Sequence, residues 1–483
     1  GEINAMTHDG DLAMSATWQD YTTGYDVAVK MEEFPIEAFL PRFGIGRITG
    51  DVMVEGKLFD PFKSEMEAKA VVNINKIEYL GKEYEAIDAK LIKQNRNIEI
   101  AMSSQNADAD FAFDADCILS DSLLHWMVNA NVEYLNLNAL ELMEQKASVS
   151  TTFDSKGVVD IRDFSLRGEL QVDNFNWHSD SLNLKIADIN AKTIASETAI
   201  NVSLQNNDMI AIMSTTDKID SILMKLSSAT DVVIAQLKNR KIDVTQIQKA
   251  LPRFNINVRA GSNNMLSEYL ANNDQSFRRM ILSASNDSMI IVSAKMYEYK
   301  LGTTTIDTIA INANQYDKIL MYDAMIGNRK GTLDKFAHVD VIGYIADDLI
   351  STHIKQRNIS GIEGYNIGAV AHVGDSLVRM ELFPEVPIIG YKGWSINDDN
   401  FIEYNMLTHH IDADVEMKSE ESLICIYTEH NDSASNHQED VIVKIKDVKL
   451  SEWLAFNPYA PPIKGDMSAD MNINWGGGRL NGK

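Results

Sequence analysis

Along Ile411, Ala413, Val415 and Met417 every second residue is apolar, and the residues between and after them, Asp412, Asp414, Glu416 and Lys418, are all charged. Side chains of a β-strand point alternately to opposite faces, so this pattern sets one face in an apolar environment and the other in water. It recurs in Met467, Ala469, Met471, Ile473 and Trp475 against Ser468, Asp470, Asn472 and Asn474. It recurs again in Phe111, Phe113, Ala115 and Cys117 against Ala112, Asp114 and Asp116. Ile98, Ile100 and Met102 extend the set, as do runs at 182–186, 200–204 and 441–445, separated by Asn, Asp, Ser and Gly turn residues. The fold class that follows is all-β, an antiparallel sheet with one wet face. Helical spacing is confined to pieces of one or two turns: Ile36, Phe39 and Leu40; Leu137 and Leu140; Val244, Ile247 and Leu251; Leu450, Trp453 and Leu454. The long crossover helices of a parallel α/β sheet are missing from the pattern.

Those short helical pieces mark a repeat. Ile36, Leu40, Pro41, Arg42, Phe43, Ile45 and Gly50 recur as Ile247, Leu251, Pro252, Arg253, Phe254, Ile256 and Gly261, all at one offset of 211 (247 − 36). Near half that distance, Leu137, Leu140 and Gly157 echo Ile36, Phe39 and Gly56 at an offset of 101 (157 − 56), and a late copy opens at Leu450. Aromatics at Tyr79, Trp177, Tyr299 and Trp394 run in step. The expected organisation is the end of a repeat over 1–33, four units over 34–133, 134–240, 241–345 and 346–446, and the start of a further one over 447–483. Each unit is a short helical turn followed by strands of about 5 to 10 residues. Such units stack into one elongated body. A sheet with one apolar face needs a second layer, or must curl so that the face lines a groove. An open apolar groove calls for an apolar guest.

Composition removes several classes of function. With 44 basic and 70 acidic residues the net charge is −26, which repels a phosphate backbone, so nucleic acid is excluded as a partner. The longest apolar runs, such as Met289 to Val292, fall far short of the roughly 20 residues needed to cross a bilayer. The start, Gly1-Glu2-Ile3-Asn4, has no signal-peptide pattern, and the end at Asn481-Gly482-Lys483 follows a strand-like segment, so an internal fragment of a longer protein is expected. Cys117 and Cys425 have neither disulfide-framework nor metal-ligand spacing, and read as small buried hydrophobes.

The run Phe34-Pro-Ile-Glu-Ala-Phe-Leu-Pro41, followed by Gly44-Ile-Gly-Arg-Ile-Thr-Gly50 and the strand to Gly56 and Pro61, resembles the repeat of bacterial translocation and assembly module proteins of the TamB type. The pattern from Val71 to Tyr79 fits the strands that follow in that repeat, and AsmA-like proteins share it. The resemblance implies a β-taco or repeating β-groove, anchored in the inner membrane and crossing the periplasm. It also implies a role in phospholipid movement and outer-membrane protein assembly, with no enzyme active site. Membrane contact would then run only through parts missing from this chain. Separately, Asp-Ser or Asp-Thr followed by an aliphatic residue, Met or Ala, at Asp121, Asp180, Asp220, Asp287, Asp307, Asp375 and Asp432, resembles the acceptor tripeptide of a bacterial O-glycosylation system for exported proteins, although Asp-Ser is also an ordinary turn before a strand.

Other motifs carry less. Gly44-x-Gly46-x-x-x-Gly50 is one residue off a dinucleotide fingerprint and lacks its flanking strand and helix, and Gly476-Gly477-Gly478 lacks the Lys and Ser/Thr of a phosphate loop. His410, Asp412 and Asp414 would share a polar strand face that could hold a divalent cation, but solvated surface explains them as well. No cofactor and no metal are expected. The 22 methionines suit either a closed core or a surface that accepts varied apolar partners. The residues expected to line a lipid groove are Ile98, Ile100, Met102, Phe111, Phe113, Ile411, Ala413, Val415, Met417, Met467, Met471, Ile473 and Trp475, shielding phospholipid acyl chains in the periplasm. The alternative is a scaffold whose exposed strand edges pair with an outer-membrane β-barrel protein or its client.

Overall fold

The alternating segments are strands, and they follow one another as an antiparallel meander. The computed structural model describes every residue except 1, 8–9, 19–23, 39–43, 61, 164, 240, 329–337, 430–438, 454–462, 477–478 and 483. Strands hold 69% of the chain and helices 9%, and the sheet does not close on itself. The chain divides into two units, residues 1–218 with 260–273, and residues 219–259 with 274–483.

In the first unit each long strand from Gly10–Trp18 to Met209–Thr215 pairs with the next one in sequence, and the short strand Asn183–Ile186 lies beside Ser165–Ser179. The register does more than hold strands together. Directly opposed residues share a face, and the pairs run Val29–Val52–Val72–Ala89–Met102–Phe113–Ala130–Phe153–Val172–Ile189 from strand to strand. One face is therefore apolar across the whole unit. On the other face opposite charges oppose each other: Lys57 with Glu67 at 2.9 Å, Lys69 with Glu55 at 2.9 Å, and Glu169 with both Lys192 at 2.9 Å and Lys156 at 3.4 Å. A slip of one residue would break these pairs and turn the apolar set to water, so both faces specify the same register.

The second unit repeats the arrangement from Arg279–Asn286 to Asp466–Gly476. Its face runs Ala294–Ile311–Ala324–Val341–Ile354–Ile367, and further along Met380–Ile402–Ala413 and Ile426–Val443–Met471. Between Leu377–Ile389 and Phe401–Asn405 the chain makes two short strands, Lys392–Gly393 and Ser395–Ile396, which pair with Ile388–Ile389 and with Met417–Lys418.

Two sequence expectations need correction. Strands are longer than 5 to 10 residues, reaching 14 in Ala147–Asp160 and 15 in Ser165–Ser179. Polar residues such as Asn129, Asn131 and Asp154 stand in mid-strand on the wet face. Helices are also not all short, because Ile219–Asn239 is a single helix of 21 residues. Its apolar residues Ile222, Leu223, Leu226, Ala229, Val233 and Leu237 recur at helical spacing, a signal the pattern carried all along, and on that stripe Leu223 and Leu237 are exposed while Ala229 is buried. The other helical landmarks are short: Ile36–Ala38, Val244–Ala250 and Leu450–Trp453, with a turn at 137–142. Phe39 to Phe43 and Leu454 lie outside the described residues.

Candidate functional site

The surface that could do something chemically is the apolar face itself, and its exposure decides whether it is a groove or a core. In the first unit, outward apolar side chains are about half exposed: Met127 51%, Ile118 49% and Ile194 51%. Inward side chains of the same types are less so, with Met102 at 39% and Ile98 and Ile100 lower. All described strands belong to the sheet, so no second sheet layer accounts for the difference. Bending toward the apolar side would account for it, because neighbouring side chains converge on a concave face. Yet most of the inward residues are partly accessible rather than buried.

Two patches are sealed. In the first unit Met31, Phe34 and Ile48 are buried together under Ile36, at the strand ends next to the helical turn. In the second, Val415 and Met417 are buried with Ile389, Trp394, Ile396 and Val448. Trp394 comes from the short-strand excursion, and its indole Nε1 donates to the Ile389 carbonyl at 3.3 Å. Elsewhere the second face is open, with Ile311 50% and Ile354 41% exposed.

The expected groove residues divide accordingly. Ile98, Ile100, Met102, Phe111 and Phe113 lie on the partly open face of the first unit on neighbouring strands, Met102 opposite Phe113. Ile411, Met467, Met471 and Ile473 lie on the second face without being buried. Ala413, Val415 and Met417 are 3%, 2% and 4% exposed and belong to closed core at that point. The Trp475 side chain lies outside the described residues; its backbone opposes Glu439 and Leu480.

Four aromatic–glycine pairs went unseen in the sequence reading. Tyr25 opposes Gly56, Trp126 opposes Gly157, Tyr322 opposes Gly343 and Phe383 opposes Gly368. Each ring covers its glycine so closely that a Cβ added there would lie 2.3 to 2.5 Å from ring or hydroxyl atoms. The Trp126 indole also donates to Ser155 Oγ at 3.1 Å. The first two pairs are related by the repeat offset of 101 (126 − 25 and 157 − 56). The signal was there in Gly56 and Gly157, but only register shows which aromatic each one accommodates.

Titratable chemistry on these faces is sparse. Burial pushes the Cys117 thiol up, and Cys117 sits on the apolar face opposite Ile98 and Trp126. Cys425 is buried on the other face, 3.8 Å from Glu416. His410 and Asp412 are half-buried and Asp414 exposed, on a strand opposed by Asn405, Glu403 and Phe401. Among the described residues no group of three metal-ligating side chains gathers, and no helix is long and apolar enough to cross a membrane. Of the Asp-Ser turns, Ser181 and Ser288 are exposed while Ser122 is buried. No family model, no curated protein and no solved structure matches the chain.

Proposed function

We propose that the apolar faces of the two units shield the acyl chains of phospholipid, as part of a periplasmic bridge between inner and outer membranes. The observation that carries this reading is the register that keeps one face mainly apolar from Val29 to Ile189 and from Ala294 to Ile367 while leaving much of it partly accessible. From Gly10–Trp18 to Met209–Thr215 that face follows about 60 Å of sheet at roughly 4.8 Å per strand, long for a single-ligand pocket and suited to a path. Transfer would work by partition. Each buried CH₂ contributes about 0.8 kcal/mol, and since no apolar contact is directional the chain is held and can still slide. The periplasmic setting and the inner-membrane anchor rest on the resemblance to translocation and assembly module proteins. Native mass spectrometry of the purified chain, with lipid extraction and a refolded lipid-free control, tests the reading. Co-purifying phospholipid supports it, and an apoprotein that takes up no fluorescent lipid overturns it.

The scaffold alternative draws on the open ends of the sheet, since Glu2–Thr7 is paired with Gly10–Trp18 and the sheet is not closed. An edge of this kind can add a strand from an outer-membrane β-barrel protein or its client. It predicts partner binding blocked by proline in Glu2–Thr7, with no bound lipid.

A further inference from the structure

The apolar face of the first unit contains one buried cation. Lys93 faces inward, opposite Ala68 on one neighbour and Ile98 on the other, and is 4% exposed. Its ammonium donates to the carbonyl oxygen of Asn95 and, at 3.5 Å, to that of Met66. Among the described residues no carboxylate reaches it, although carboxylates are close by: Glu55 is paired with Lys69 and Glu67 with Lys57, each at 2.9 Å. A buried charge held only by neutral carbonyls is costly, and desolvation accordingly lowers the pKa of Lys93 below the ordinary lysine value.

The surroundings fit a ligand. Lys93 lines an open depression of about 580 Å³ at the strand ends opposite the sealed cluster of Met31, Phe34 and Ile48, together with Tyr25, Gly56 and Ala68 of the apolar face and, from the wet face, Asp26 and the ion-paired Glu55–Lys69 and Glu67–Lys57. Phe59, stacked on Tyr25 with ring centroids 4.8 Å apart, is 58% exposed, and Phe62 is 62% exposed. A cation held only by carbonyl oxygens at the end of an apolar face, with the Tyr25 ring lining the same depression, matches an amphiphile's two ends.

We propose that Lys93 is an anion anchor at the rim of this face, taking the carboxylate or phosphate head of an acyl amphiphile while the chain lies on the inward residues. The proposal rests on the lipid-groove reading and specifies its head group.

Displacement of the neutral probe N-phenyl-1-naphthylamine from the full chain tests it, using dodecanoate, dodecyl phosphate and dodecanol as competitors, and acetate and inorganic phosphate as heads without a tail. Both anionic amphiphiles are expected to bind about 10- to 100-fold tighter than dodecanol. Lys93→Met should erase that preference and leave dodecanol unchanged, and Lys93→Arg should keep it. Equal binding of all three, or a preference that survives in Lys93→Met, overturns the anchor and leaves the groove standing. Displacement by none of the three overturns the groove as well. Competition by acetate or inorganic phosphate at the same concentrations as the amphiphiles assigns the site to a free anion and overturns the amphiphile assignment.

Discussion

Met417 and Met471 lie on the same face of the same unit and differ mainly in what covers them, which makes them a direct test of where that face is closed. Met417 is 4% exposed and packed in the cluster with Trp394, Val415 and Val448, whereas Met471 is 38% exposed beside Val443. Truncating a buried methionine to alanine costs about 2–5 kcal/mol, because transfer energy is lost and a cavity remains. At Met471 over a third of the transfer term is never gained and solvent fills the gap, so Met471→Ala should cost about 1 kcal/mol or less. With roughly 2–4 °C per kcal/mol for a unit of this size, Met417→Ala lowers the melting temperature by about 5–15 °C and Met471→Ala by less than about 4 °C. Calorimetry on the purified variants reads both numbers. The two should part company in lipid uptake too, with Met417→Ala unaffected while folded and Met471→Asp impaired. Equal destabilisation by the two alanine variants would mean that the face at Met471 is ordinary closed core, and the reasoning that separates groove from core would fail.

Three further outcomes follow from the same geometry. Leu91→Asp, Met102→Asp and Leu170→Asp together, all on the partly exposed face of the first unit, should cost about 1 kcal/mol each yet abolish lipid uptake, as checked by circular dichroism beside a fluorescent-lipid assay. Gly157→Val forces the Trp126 ring off its seat, so a loss of about 1–3 kcal/mol with a shift in tryptophan emission is expected, and an unchanged spectrum would sink the aromatic–glycine account. For Lys93 the folded pKa lies below the 10.5 of the free side chain, so between those values the unfolded chain holds more protons and stability rises with pH. The penalty is fully present below the folded pKa and gone above 10.5. Lys93→Met should therefore be more stable than the parent at pH 7, with the gap closing toward pH 10 in urea midpoints.

Fold class was legible because a period of two is hard to mistake when the alternating partners are Asp412, Asp414 and Glu416. The same code hid strand length. Asn129 and Asn131 stand outward in mid-strand, and only pairing with their neighbours shows how far that strand runs. Val415 and Met417 share the apolar face of their strand, but a strand's own pattern cannot say what lies over it. Trp394 arrives from a neighbouring excursion whose Gly390, Lys392 and Gly393 carry no period at all. Lys93 illustrates the opposite failure. In sequence it is one lysine among many, and its meaning comes from opposing Ala68 and Ile98 on a face with no other buried charge among the described residues.

The aromatic–glycine pairs connect the two properties a transfer surface needs. An apolar face built only of branched side chains would resist bending toward that face and present a ridged wall. Glycine removes a side chain from one strand, and the opposed ring lies over the vacated backbone, which lets the strands bend there without exposing peptide groups. Tyr25 over Gly56 and Trp126 over Gly157 place the same device 101 residues apart in the sheet. Outside, the cross-strand pairs of Glu169 with Lys156 and Lys192 and of Glu55 with Lys69 keep the register, and the net charge of −26 leaves the wet face acidic, which discourages one sheet from pairing with another. An apolar inner face and a repelling outer face thus come from one repeated arrangement of residues.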